Sequence, residues 1–389
     1  MSMELGEASS PEPGMSTNLS SQGEDYSVYV RLVNKKDQLE WYKFSVFNRA
    51  ADGDGRKRGL KGFGDYLPEP TPLKGKKISR FSRCVAVGST IYCIGGRKIS
   101  SSSSGRLVVD NSVFCLNTSC PEHELFWVQA PSMLCPRSEP DTVVVNGKIF
   151  VMGGTTKDCT EPWAEVFDPE SGSWNPLPPP PFRKPPSDFN LFCAALFDSD
   201  LVLVRCKEGD CVSSAPYNPP SNINLLYAAA LHDSDLISVG SQGDDYLFYT
   251  YNVHTKVWDT HHGILENSSF PVKPISVGST LFWFHNSELH AYDTIEKWHC
   301  SGPVKCLDEN TLSFDHVQQL SGIKPVLLHL GGDQFCWIYY EETGYYLTLL
   351  HYVQFRLSSS PGACLTAFAE SCQSYLINSP SLLLDAVLI

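Results

Sequence analysis

VNGKIFVMGG, residues 145–154, is a polar turn running into a hydrophobic strand that stops on two glycines. A side chain would pack better than Gly153-Gly154 at a strand end, so the glycines need a reason. A phosphate-cradling loop would require a helix start and further glycines, as in GxGxxG or GxxxxGK[ST]. The next nine residues, TTKDCTEPW (155–163), offer neither. The glycines read instead as an architectural corner. Glycine reaches φ > 0 and lets a second backbone approach where a Cβ would collide.

The same layout recurs. CVAVGSTIYCIGG (84–96) and TVVVNGKIFVMGG (142–154) each hold an apolar run, a polar turn, a second apolar run and a diglycine, Gly95-Gly96 and Gly153-Gly154. Weaker copies follow at 193–206, 228–241, 274–286 and 326–339. A period on the order of 50 residues marks a solenoid or a propeller. Each unit continues with an alternating strand ending in an aromatic, then a tryptophan. Phe167 stands seven residues before Trp174, Tyr251 seven before Trp258, Tyr292 six before Trp298, and Phe114 precedes Trp127 across a longer loop. Four short strands with turns between them make an antiparallel blade. A single blade leaves both faces bare, and stacking around an axis covers each face with the next.

Diglycine, aromatic, six residues, tryptophan resembles the kelch repeat. The six copies imply an all-β, six-bladed kelch-type β-propeller over residues 26–358, with seven blades as the alternative. The third and fourth units lack the double glycine, the fifth has His285-Asn286 there, and Gly331-Gly332 falls in a turn. The repeats are similar to those of the plant F-box/kelch-repeat family, whose members recruit substrates to ubiquitin ligases. No F-box is recognisable in the first 80 residues, which show one Leu67-Pro68 and no helical periodicity.

The ends frame this unit. Residues 1–25 are rich in Ser, Glu, Gly and Pro and read as disordered. Residues 26–47 form a hairpin whose strands, with Trp41, are expected to complete the sixth blade, because joining the termini in one sheet holds a ring closed. Residues 359–389 are an apolar tail. Within it Ala363, Leu365, Phe368, Cys372, Tyr375 and Leu376 fall near a three-to-four spacing, which predicts a short helix over 363–377. The final LLLDAVLI is too apolar to stay solvated and is expected to pack on the propeller or meet a partner.

Composition excludes several functions. A net charge of −13 disfavours nucleic acid and anionic lipid as partners. The N-terminus has no basic region followed by an apolar core, and no apolar run spans a membrane, so the reading is a cytoplasmic or nuclear chain. Among the 14 cysteines there is no CxxC pair, and Cys84, Cys93, Cys193 and Cys336 sit in strand-like runs as small hydrophobes. Cys115-x4-Cys120-x2-His123 lacks a second ligand pair for zinc. No iron-binding E-x3-D-x3-H, nucleophile elbow, HExxH or paired-carboxylate spacing occurs, so no enzyme and no cofactor is expected.

A binding module remains. In kelch propellers that take peptides, arginines just before the first strand of each blade ring the mouth. Arg80 and Arg137 match that place, Arg183 approaches it, and Lys324 stands there in the last unit. Guanidinium groups suit carboxylate or phosphate on a protein partner. Pairing with blade carboxylates is the other reading of the same arginines. The expected role is a monomeric protein-interaction propeller, a scaffold or substrate-recognition subunit whose partners include ubiquitin-ligase components or their substrates. A degenerate propeller enzyme or small-molecule binder of the galactose-oxidase or specifier-protein type is the alternative.

Overall fold

Two-residue turns set the hairpins. Asn146 and Gly147 both take positive φ, 47° and 74°, the type I′ geometry whose twist matches the strands it joins. Gly88 at 55° precedes Ser89 in the equivalent turn of the preceding unit.

The computed structural model describes residues 25–34, 39–47, 65–66, 74–75, 78–79, 81–99, 107–121, 125–155, 162–179, 191–197, 200–205, 224–230, 236–242, 245–263, 274–285, 288–293, 296, 298–305, 326–343, 347–358, 365–377 and 381–389. No helix occurs among them, and the all-β propeller is the fold. The N-terminal hairpin is β1 (Asp25–Asn34) and β2 (Leu39–Phe47), followed by the two-residue strands β3 (Asp65–Tyr66) and β4 (Lys74–Gly75). The first repeat gives β5 (Arg83–Val87) and β6 (Thr90–Ile94). A ribbon, β7 (Arg97–Ile99) with β8 (Leu107–Val109), then intervenes before β9 (Val113–Asn117) and β10 (Phe126–Ala130). The second repeat is an uninterrupted meander of β11 (Asp141–Val145), β12 (Lys148–Met152), β13 (Ala164–Asp168) and β14 (Ser173–Pro176).

The next two copies depart from expectation. β15 (Leu191–Phe197), β16 (Asp200–Arg205), β17 (Asn224–Ala230), β18 (Leu236–Gln242), β19 (Asp245–Asn252) and β20 (Val257–Gly263) share one six-stranded sheet. The repeat period predicts two blades here. The third copy has no aromatic-x6-Trp segment of its own, since residues 206–223 hold no tryptophan. Its β16 therefore pairs with β19, the strand that also serves the fourth copy.

The fifth unit is β21 (Ile275–Val277), β22 (Thr280–His285), β23 (Glu288–Asp293) and β24 (His299–Lys305). The sixth is β25 (Val326–Gly331), β26 (Gln334–Thr343), β27 (Leu347–Ser358) and β28 (Thr366–Ile377). So the tail helix expected over 363–377 is instead strand β28. Without it β27 would present a long open edge, and the ladder from Thr348↔Ile377 to Ser358↔Thr366 overrides a weak helical period. The alternation is visible locally: Ala367 and Ala369 are buried while Phe368 points out. β24 and β28 also meet, in parallel, at Val304↔Ala367, and a Cβ on Gly302 would run into the Leu365 carbonyl there.

The last strand, β29 (Ser381–Leu388), closes the molecule. It pairs with β1, giving a three-stranded sheet β2-β1-β29. The hairpin 26–47 thus joins the chain termini, as ring closure requires, but not by pairing with the sixth unit, whose outer place β28 already fills. β1 is buried on both faces, which explains its near-continuous apolar run. Val28, Val30 and Leu32 pack with Leu330, Cys336 and Ile338 of the sixth unit. Tyr29 packs with Ile91, Cys93 and Leu116 of the first. The terminal LLLDAVLI is packed, with Leu383 and Val387 buried on these two sides. Of the segment 1–25, expected to be disordered, residues 1–24 lie outside the described residues and Asp25 begins β1.

The diglycine after β12 is a corner. Gly154 has φ +64°, and a Cβ there would stand 2.5 Å from the Ser138 carbonyl oxygen. At Gly147 φ is +74° but nothing lies within 4 Å. Gly154→Val should therefore cost about 3–4 kcal/mol in chemical denaturation, and Gly147→Ala only about 1 kcal/mol. Equal losses at the two positions would mean that close approach is not what the diglycine serves.

Candidate interaction surface

Antiparallel strands give each blade two unlike ends. One end of the first two units carries the two-residue turns Gly88-Ser89 and Asn146-Gly147. The other carries the ribbon of β7 and β8, the diglycine Gly153-Gly154 after β12, and the loop 131–140 leading from β10 into β11. Long surface connections on a rigid frame are where binding groups usually lie.

The loop 131–140 is fixed by Arg137. Its guanidinium is fully buried and donates through Nε to Glu165 Oε1 at 2.9 Å. It also donates to the carbonyls of Gly153 (2.7 Å), Trp163 (2.7 Å) and Pro162 (2.6 Å). Glu165 in turn accepts the Leu134 N–H at 2.7 Å. Both diglycines grip the same loop: the Gly96 N–H donates to the Arg137 carbonyl at 2.7 Å, and the Ser138 N–H to the Gly154 carbonyl at 2.8 Å. The sequence pattern leaves two readings of Arg137, an exposed ring of cations around the mouth or pairing with a blade carboxylate. In the structure it is a strut, spent on a blade carboxylate and on backbone, because a buried charge persists only when paired. Arg80, Arg183 and Lys324 lie outside the described residues.

The repeat aromatics divide similarly. Phe167 lies opposite Trp174, with ring centroids 4.9 Å apart, and Tyr251 opposite Trp258, also at 4.9 Å. The Trp174 and Trp258 indole N–H groups donate to the carbonyls of Pro131 and Pro178. In the fifth unit Tyr292 faces His299, not Trp298, because the partner of the aromatic stands seven residues on and Trp298 is one short. Trp298 is exposed as a result. His299 stacks on Trp283 and His290, and burial lowers its pKa. In the first unit Phe114 faces Gln129, so Trp127 is not its partner. Trp127 packs on Trp41 at 5.3 Å, which docks one face of the hairpin on the first blade, while Phe44 packs on Tyr352 and Tyr375 of the sixth unit.

Sequence reasoning missed the other buried guanidinium. Arg31, 1% exposed, makes a two-pronged bond to Asp385, Nε to Oδ1 at 2.8 Å and Nη2 to Oδ2 at 2.7 Å. It also reaches Ser82 Oγ (2.7 Å) and the Ser82 carbonyl (2.8 Å) ahead of β5. Burial lowers its pKa, and the Asp385 carboxylate, with smaller contributions from Cys84 and Cys93, more than reverses that. A signal existed: SVYVRLV and LLLDAVLI each hold one charge, of opposite sign, in an apolar run.

Among the described residues at the long-connection end, the ribbon faces outward. Arg97, Lys98 and Ile99 are all exposed, Ile99 to 66%. Arg97 lies over the Phe81 ring at 4.6 Å and donates to Ser138 Oγ at 2.8 Å, tying the ribbon to the loop. Lys98 meets Asp110 at 2.7 Å. Leu134, on the same loop, is exposed to 50%. Among the described residues no three His, Cys, Asp or Glu side chains stand close enough to hold a metal.

Residues 64–222 match the FKB95 kelch-repeats domain. Over these residues the chain carries kelch repeats. Its repeats are similar to those of F-box/kelch-repeat proteins of Arabidopsis thaliana. One is 33% identical over 158 residues, covering 39% of this chain and 36% of the relative. Another is 35% identical over 155 residues with the same coverage, and a third 37% identical over 117 residues, covering 30% and 27%. The matches thus span about a third of each relative's length. Kelch repeats and these relatives give the chain a protein-interaction role in general.

Arg137→Ala would leave Glu165 buried without its counter-charge. It should lower stability by about 3–5 kcal/mol in chemical denaturation. An unchanged denaturation midpoint would show that the guanidinium is not holding the loop.

Proposed function

We propose that this kelch-repeat chain is a non-catalytic recognition subunit that takes a protein or peptide on the long-connection end of the ring. The observation that carries the reading is the ribbon of β7 and β8. It stands outside the blade ladder, exposes Arg97, Lys98 and Ile99 along its first strand, and is braced through Ser138 against a locked loop. A rigid base under exposed cationic and apolar side chains suits a partner segment that combines carboxylates with a hydrophobic residue. The resemblance to F-box/kelch-repeat proteins favours a place in substrate recognition for ubiquitin ligation, with the chain acting as a monomer in the cytoplasm or nucleus.

Proximity labelling in cells tests this with three forms of the full chain. Against the wild type, the ribbon variant Arg97→Glu/Lys98→Glu/Ile99→Asp should lose recovery of its specific partners about tenfold. Glu170→Arg, in the turn at the opposite end, should keep them. Loss with Glu170→Arg and retention with the ribbon variant would place recognition on the other end.

A further inference from the structure

Cys84 and Cys93 are both free thiols, buried in the cluster that joins the first blade to the terminal sheet. They stand directly opposite each other on β5 and β6. The two-residue turn Gly88-Ser89 fixes the kind of pair they make. In such a hairpin Val87↔Thr90, next to the turn, exchanges backbone hydrogen bonds, and the pattern then alternates. Val85↔Tyr92 and Arg83↔Ile94 are therefore hydrogen-bonded pairs, and Cys84↔Cys93 is a non-hydrogen-bonded one. In that class the Cα atoms are about 4.5 Å apart and the side chains lean together. A disulfide accepts Cα separations of roughly 4.4–6.8 Å. The two side chains are in fact close enough to hydrogen-bond to each other. Burial pushes the Cys84 thiol up, and the Arg31 guanidinium offsets only part of that.

We propose that Cys84 and Cys93 are the site of a reversible intrablade disulfide, formed by a hydroperoxide oxidant. The Cys84 sulfur attacks the peroxide oxygen and becomes a sulfenic acid, with release of one water. The Cys93 sulfur then attacks the sulfenic sulfur, the S–S bond forms and a second water leaves. In sum, two thiols and one hydrogen peroxide give one disulfide and two waters. A bond at the short end of the permitted separation is also readily reduced by a small dithiol. The product would sit between the first blade and the strands that close the ring.

The test uses the full native chain. It is treated with hydrogen peroxide, then denatured, alkylated and cut with trypsin, which leaves both cysteines on the one peptide 84–97. The expected result is a peptide lighter by two hydrogens that takes no alkyl group, from protein that keeps its native melting transition. Reduction with dithiothreitol should return two alkylation sites. In Cys93→Ser the reaction should stop at a sulfenic acid on Cys84 that dimedone traps. A peptide that still takes two alkyl groups while Cys115 and Cys120 are oxidised would overturn the proposal. So would separate sulfinic acids on the two cysteines, or a disulfide that forms only as the melting transition is lost. The wild-type measurement decides the matter even where the serine variant fails to fold.

Discussion

A propeller is stable only while its ring is closed, and here closure rests on one sheet made from the two ends of the chain. β1 lies between β2 and β29, with the sixth unit against one face and the first against the other. Its side chains alternate between those neighbours, and each large one buried contributes about 1.5–3 kcal/mol. Hydrophobic burial alone would tolerate a slipped register. The pair Arg31–Asp385 sets it. It lies at the bulge where the β1–β29 register shifts between Arg31 and Leu32, so Tyr29 and Val387 face the first blade while Leu32 and Leu383 face the sixth. Through Ser82 the same guanidinium holds the segment that leads into β5.

The second blade repeats this device in another form. Arg137 is likewise buried, likewise paired to a carboxylate, and likewise occupied by backbone carbonyls of its neighbours. The diglycines belong to the same arrangement. They take backbone conformations that other residues rarely adopt and let the loop carrying Arg137 come within hydrogen-bonding distance. Glycine corner and buried guanidinium are thus two halves of one joint. In the third and fourth copies the diglycine is missing and two repeats share a sheet, whereas the fifth unit keeps its four-strand meander with His285-Asn286 at that place.

Much of the fold is legible in the sequence. The strand-turn-strand-Gly-Gly layout of units one and two specifies their blades, and the seven-residue spacing from aromatic to tryptophan specifies the Phe167–Trp174 and Tyr251–Trp258 contacts. The same spacing, applied strictly, picks His299 over Trp298. The illegible parts depend on pairing between distant segments. The period of residues 363–377 is ambiguous by itself, and only the open edge of β27 decides for a strand. A guanidinium in a loop reads the same way in sequence whether it faces solvent or a buried glutamate. Arg137 is a strut because Glu165, two strands away, comes beneath it. The exposed ribbon after Gly96 reads in sequence as a serine-containing loop, since three-residue strands carry too little pattern to be seen.

The most direct measurement is chemical denaturation of Asp385→Ala beside the double variant Arg31→Met/Asp385→Leu. If the buried pair sets the closing register, Asp385→Ala should lose about 3–5 kcal/mol, and the double variant should recover most of it, because apolar side chains can replace a buried ion pair where a lone charge cannot remain. An Asp385→Ala protein as stable as the wild type would contradict the account and leave ring closure to apolar packing alone.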